Sequence, residues 1–143
     1  MVDLLYDHLK SLPDSSTIKE ELFHVGSTDL KPDIVHIKSG CHISVIDPTV
    51  RVEKDMATRE AQIIEKIEKY AILKQHLAER YNIQEHQVKI CPVWMGSRRT
   101  ILKSDLDLLE KNVGKLPKKL VEKICQEVVS WSATIYNSLI FKQ

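Results

Sequence analysis

Two aspartates and two lysines stand in this chain at spacings that a hydrophobic core does not require: Asp33 and Asp47, then Lys66 and Lys69 with Tyr70 beside them. Asp33 opens a run rich in β-branched residues, Ile34-Val35-His36-Ile37, and Asp47 closes a second, His42 to Ile46. Two such runs around a short glycine-containing turn predict a β-hairpin. If the turn centres on Gly40, residues whose numbers sum to 80 face each other, and Asp33 and Asp47 are such a pair. Directly opposed side chains have Cβ atoms about 5 Å apart, and like charges there repel. A hard divalent cation relieves two convergent carboxylates, because it prefers oxygen ligands and keeps positions open for water and phosphate. Mg²⁺ is the expected ion, with Mn²⁺ as its substitute. A register slip of one residue would instead send one aspartate to the far face, where it would cap a strand end in solvent.

The element that must bring cationic chemistry to this pair is a helix expected from Ala57 to Tyr81. Its apolar residues Ala61, Ile64, Ile67, Ala71 and Leu77, with Ile63 beside them, recur largely at three- and four-residue steps, the mark of an amphipathic helix. Lys66, Lys69 and Tyr70 stand three and four residues apart and are expected to project from one face. A helix packed across the hairpin could aim that face at the carboxylates. Two carboxylates for a metal and an ammonium for a phosphate oxyanion are equipment for phosphodiester hydrolysis. The competing reading of the lysines is a solvated face laced by Glu65 and Glu68.

These residues carry a resemblance. Lys31-Pro32-Asp33, then Asp47 after a hairpin, then Lys66-x-x-Lys69-Tyr70 on the following helix resemble the PD-(D/E)XK nuclease superfamily. Within it, the pattern is similar to the restriction-like endonuclease domain of early-branching, site-specific non-LTR retrotransposons. Val88-Lys-Ile-Cys-Pro92-Val-Trp-Met-Gly96-Ser-Arg98 resembles the next strand of that family, so the likeness runs from about Ile18 to Arg99. It implies an α/β fold with a restriction-endonuclease-like core, in the order α-β-β-β-α-β, a mixed sheet flanked by helices with added C-terminal helices. It also implies a Mg²⁺-dependent DNA endonuclease with Asp33 and Asp47 as metal ligands and Lys66, Lys69 and Tyr70 as catalytic residues. Glu20, on the first strand, is favoured over Glu21 as an extra carboxylate near the metal; an edge-strand charge explains it as well.

By the same resemblance, the chain nicks target DNA and so supplies the primer end for target-primed reverse transcription. Its expected partners are double-stranded DNA and the reverse transcriptase and DNA-binding segments of the same polypeptide, in the nucleus. Residues 1–143 would then be a single endonuclease domain, a piece of that longer polypeptide. The sequence departs from the family in two places. Thr49 stands where the commonest form of the superfamily has a lysine two residues after the second acid. The Arg-His pair usual upstream of the first helix's apolar residues is the other: the chain starts at Met1-Val2 inside that helix, so either the pair is missing from this element or the sequence begins downstream of it. A domain of the same fold that holds DNA without cutting it is the alternative reading.

Composition bounds the rest. A chain of 143 residues can bury a core without staples, and 43% apolar with 29% charged residues is ordinary for a globular domain. A formal net charge of +1 does not speak for or against nucleic acid, because a binder needs local rather than overall positive potential. Cys41, Cys91 and Cys125 are odd in number and far apart, which argues against a disulfide framework or zinc site and for an intracellular compartment. Neither a secretory leader nor an apolar run of membrane-spanning length is visible.

In chain order, Leu4, Leu5, Leu9 and Leu12 predict a helix from Val2 to Leu12, stopped by Pro13. Thr17 to Val25 reads as the first strand, with Gly26 to Asp29 as the turn into Lys31. His36 and His42 are diagonal neighbours without a third histidine, a weak case for coordination. Asn82 to Gln87 is a connector and Val88 to Met95 a buried strand. Lys31 and the paired Arg98 and Arg99 beside Gly96-Ser97 suit contacts to DNA phosphates, although a plain surface turn would look the same. Ser104-Asp-Leu-Asp opens a short helix ended by Gly114. Pro117 starts a final helix with a core stripe of Leu120, Val121, Ile124, Val128, Trp131, Ile135 and Leu139. Lys115, Lys118, Lys119 and Lys123 crowd its first turns, which the helix dipole disfavours; they read as a phosphate-facing surface or as a solvated one.

Overall fold

A computed structural model describes residues 2–38, 42–51, 56–96, 100–101 and 103–127. A five-stranded mixed sheet runs in the order β1 (Ser15–Lys19), β4 (Ile34–Lys38), β5 (His42–Arg51), β6 (Val88–Gly96), β7 (Thr100–Ile101). The first three strands are antiparallel neighbours, β5 and β6 are parallel, and β7 adds an antiparallel edge. Parallel neighbours need a crossover, and α2 (Met56–Tyr81) supplies it. A separate ribbon, β2 (Phe23–Val25) with β3 (Thr28–Leu30), turns at Gly26 and Ser27. Gly26 has φ +61, the first central position of a two-residue turn that needs positive φ. The remaining helices are α1 (Val2–Lys10), α3 (Lys103–Val113) and α4, described over 118–127. The fold is thus α/β with a mixed sheet flanked by helices.

The sheet separates two cores. On one face, Leu5 and Leu9 of α1, Leu109 and Val113 of α3, and Ile124 of α4 pack on Ile34, Ile46, Cys91 and Val93. On the other, Tyr70, Leu73, Leu77 and Ala78 of α2 join Phe23 and Leu30 of the ribbon over Val35, Ile43, Val45, Val88 and Ile90. Successive strand residues point to opposite faces. Odd-numbered residues of β4 and β5 therefore face α2, and even-numbered ones face α1 and α3. This parity settles which layer each polar strand residue serves.

The hairpin forms with the expected register: Ile34 pairs with Ile46, Val35 with Val45 and Lys38 with His42. Its turn at Gly40 and Cys41 lies outside the described residues. Other boundaries differ. The expected first strand, 17–25, is two strands, because Glu20 adopts a left-handed conformation (φ +56) that ends β1. Its N–H donates to the Asp33 carbonyl at 3.0 Å, and the chain then leaves the sheet so that Phe23 and Leu30 can cover the α2-side core.

The core-facing stripe of α2 keeps Leu77, and Ile63 beside it, from the expected set but differs in the rest. Ile63, Lys66, Tyr70, Leu73 and Leu77 turn inward, whereas Ile64 is 55% exposed, Ile67 is 41% exposed, and Ala61 and Ala71 face solvent. Both stripes have helical spacing, and they differ by a rotation of about 100°, one residue. α3 begins one residue before Ser104 and ends at Gly114, whose φ of +95 suits glycine. The short strand β7 had no strong sequence signal. Arg98, Arg99, Val128, Trp131, Ile135 and Leu139 lie outside the described residues. Among the described residues, no helix is long and apolar enough to cross a membrane.

Candidate active site

Asp33 directly precedes the first paired residue of β4, and Asp47 directly follows its partner on β5, one step beyond the pair Ile34 and Ile46. Both numbers are odd, so both side chains emerge on the α2 face with Val35 and Val45. The register slip that would have separated them does not occur. Asp33 is half-buried, and its carboxyl pKa is raised from 3.8 to about 7. Burial is the largest cause; next come a hydrogen bond with Asp47 and the Asp47 charge, while the Lys66 ammonium pulls in the opposite direction. Burial first, and the neighbouring Asp47 second, thus favour a proton retained on Asp33.

Thr49 is two residues past Asp47 and shares its face. Beyond Ile46, β5 no longer has β4 as a neighbour but keeps β6, with Asp47 opposite Pro92 and Thr49 opposite Trp94. The site therefore sits where β5 runs on past the start of β4, midway along its parallel pairing with β6. A strand that has a neighbour on one side only also tolerates a residue without an N–H, which accounts for Pro48.

From α2, Lys66 donates to Asp47 Oδ2 at 2.8 Å and also to the Thr49 hydroxyl. The Lys66 side chain is 25% exposed and that of Asp47 13%. Lys66 stands on the inward stripe between Ile63 and Tyr70, so its ammonium is brought to Asp47 at the end of an apolar stem. Tyr70, one turn on, is 2% exposed. Its phenol is pushed up to about 12 by burial and then by the charges of Asp47 and Asp33, so it remains a hydroxyl donor at neutral pH. Thr49, Gln62, Ile63, Lys66, Pro92, Val93 and Trp94 line a small, mostly apolar crevice of about 10 Å³ beside the ammonium, room for about one water.

Not every expected residue converges. Lys69 is exposed and its ammonium lies 5.2 Å from the centre of the Tyr70 ring; it makes no hydrogen bond to either aspartate. Lys66 and Tyr70, four apart, share the inward face, and Lys69 is rotated off it. Glu20 is exposed, yet its charge contributes to raising Asp33, whereas Glu21 pairs with Arg80 at 3.3 Å. Glu20 is therefore the carboxylate nearer the pair, although the described residues hold no closed group of three metal ligands. Lys31, two residues before Asp33, is exposed, and Arg98 and Arg99 lie outside the described residues. His36 and His42 have even numbers and face the other core. There, His36 Nδ1 is hydrogen-bonded to Thr17 at 3.0 Å and His42 Nε2 to Asn112 at 3.0 Å.

Sequence reasoning noted Thr49 only as a missing lysine. Its parity with Asp47 was the signal that it would share the site. Pro92, Trp94 and Gln62 carry no such signal, because they arrive through parallel pairing and helix packing.

The donor set fits a hard divalent cation. The half-buried Asp33 and the more deeply buried Asp47 converge, and Asp33 holds its proton to about pH 7, first because it is buried and then because Asp47 lies beside it. Among the described residues, the ammonium that reaches the pair, that of Lys66, is engaged with Asp47 and Thr49. No family model matches this chain, and no curated protein does.

Proposed function

We propose that this domain is a metal-dependent DNA endonuclease of the PD-(D/E)XK type, similar to the nicking domain of site-specific non-LTR retrotransposons. The observation that carries the reading is the convergence of Asp33, Asp47 and Lys66 on the α2 face, where the β4–β5 pairing ends. An ammonium touches both Asp47 and Thr49, the position at which the superfamily's commonest form places its lysine. The departure at Thr49 is thus compensated in space, since Lys66 brings the charge from the helix.

Asp33 and Asp47 would hold Mg²⁺ or Mn²⁺, which supplies charge neutralisation and an activated water when bound. Lys66 is close enough to the carboxylates to meet a phosphate placed against them, and its fixed positive charge stabilises the oxyanion that develops on phosphorus. Tyr70, buried one turn beyond Lys66 and near enough for both aspartate charges to act on its phenol, would pack beneath the site as a protonated hydroxyl. Lys69, on the outside, suits the flanking phosphates instead. In the resembling family the nick primes reverse transcription by the same polypeptide, which would make DNA and an attached reverse transcriptase the working partners, in the nucleus.

The test is supercoiled plasmid incubated with the purified chain. Nicking is expected with Mg²⁺, absent with EDTA, and absent in Asp33→Asn and Asp47→Asn chains that melt like folded protein. Binding without nicking in Mg²⁺ or Mn²⁺ would replace the reading with that of a DNA-holding domain.

A further inference from the structure

Away from the carboxylates, the turn from α3 into α4 gathers positive charge that the candidate site does not use. Between Lys111 and Lys123 there are five lysines and one glutamate, in a chain whose formal net charge is only +1. All five lysines are exposed, and none belongs to an ion pair among the described residues. Glu110, near the end of α3, instead accepts the Leu116 N–H at 2.9 Å.

The local arrangement runs against helix electrostatics. Lys118 and Lys119 occupy the first turn of α4, where the dipole favours acids, and Glu127 comes toward its described end. Nothing in the packing demands this. Leu116, Leu120, Val121 and Ile124 carry the contact with the core, and the lysines stay outside. A surface that breaks a local rule without a structural return is a candidate for function.

We propose that Lys115, Lys118, Lys119 and Lys123 form a second, sequence-independent binding surface for a nucleic-acid phosphodiester backbone, on the layer opposite the carboxylates. The layer assignment follows from the cores: α3 and α4 cover the even-numbered face of the sheet, and Asp33 and Asp47 emerge on the odd one. Lys119 and Lys123 are four residues apart, about 6 Å along the helix. That is close to two steps of about 3.4 Å along one nucleic-acid strand. Positive side chains and the N-terminal end of the dipole act in the same direction on an anion. A lipid surface fits less well, because the exposed side of α4 offers Lys118, Lys119, Glu122 and Lys123 with no large apolar anchor among them. The domain would then grip nucleic acid on two layers, cutting at one and tethering at the other.

The experiment measures affinity of the full chain against salt in EDTA, in an Asp33→Asn background. The probes are a short DNA duplex and an RNA hairpin. Changing the four lysines to alanine should weaken binding and lower the slope of log affinity against log salt by about 2 to 4, near 0.9 for each phosphate that is no longer neutralised. The melting temperature should be kept. Weakening with both probes shows general backbone recognition, and weakening with one identifies which nucleic acid the surface serves. Unchanged slope and affinity with both probes would overturn the proposal. Because cleavage is not read, this outcome is independent of the nicking test: a wild-type chain that nicks plasmid while the lysines prove silent loses the second surface and keeps the first.

Discussion

Removing the Asp33 charge should stabilise the metal-free fold at neutral pH and above. The Asp33 pKa is raised from 3.8 to about 7 in the folded chain, first by burial and then by Asp47. Between about pH 4 and pH 7 the folded state therefore holds a proton that the unfolded state has released. Stability from this group is fully present below about pH 4 and is lost as pH rises through 7. Each unit corresponds to about 1.4 kcal/mol, so a dry site would lose about 4 kcal/mol. Asp33 is only half-buried and solvent screens it, which brings the expected loss to about 2 kcal/mol.

Asp33→Asn keeps the shape and abolishes the titration. It should match the wild-type chain at pH 4.5 and exceed it at pH 8 by about 2 kcal/mol, or roughly 4–8 °C in melting temperature for a chain of this size. His36 contributes the opposite slope. Burial lowers its pKa from 6.5 to about 4, so its share of stability is lost as pH falls from about 6.5 toward 4. That share is common to both proteins and cancels in their difference. Thermal melts in EDTA at several pH values give the difference directly. Added Mg²⁺ should then raise the wild-type melting temperature at pH 8 and narrow the gap. An Asp33→Asn chain no more stable than wild type at pH 8 would mean that the two carboxylates do not strain each other, and the case for a cation site would fail with it.

Lys66→Ala should lower the nicking rate by on the order of 10²-fold while duplex affinity changes little, since one charge among many phosphate contacts is a small part of binding; equal losses in rate and affinity would make Lys66 an ordinary backbone contact. On α2, Leu77→Ala should cost about 2–5 kcal/mol and Ile64→Ser under about 0.5 kcal/mol. Denaturant titration of the two variants separates the inward stripe from the outward one.

What could be read from the sequence was local or nearly so. The pairing of Asp33 with Asp47 followed from a period of two along each strand and one central turn, and the strands pair with that register. The extents of α2, β6 and α3 followed from periodicity and end signals to within a residue or two. The rotation of α2 about its axis did not. Ile64, Ile67 and Ala71 repeat as regularly as Ile63, Tyr70 and Leu77, and only packing against Val45, Phe23 and Leu30 chooses between them.

That choice decides which lysine matters: Lys66 lies on the buried stripe and reaches Asp47, and Lys69 lies one residue off and does not. The break at Glu20 was likewise invisible, because a left-handed residue inside an alternating run is imposed by its backbone bond to Asp33 and by the ribbon beyond it. The crevice beside Lys66 belongs wholly to the tertiary structure. Parallel pairing brings Trp94 beside Thr49 from 45 residues away, and no pattern within either strand records which strand will lie next to it.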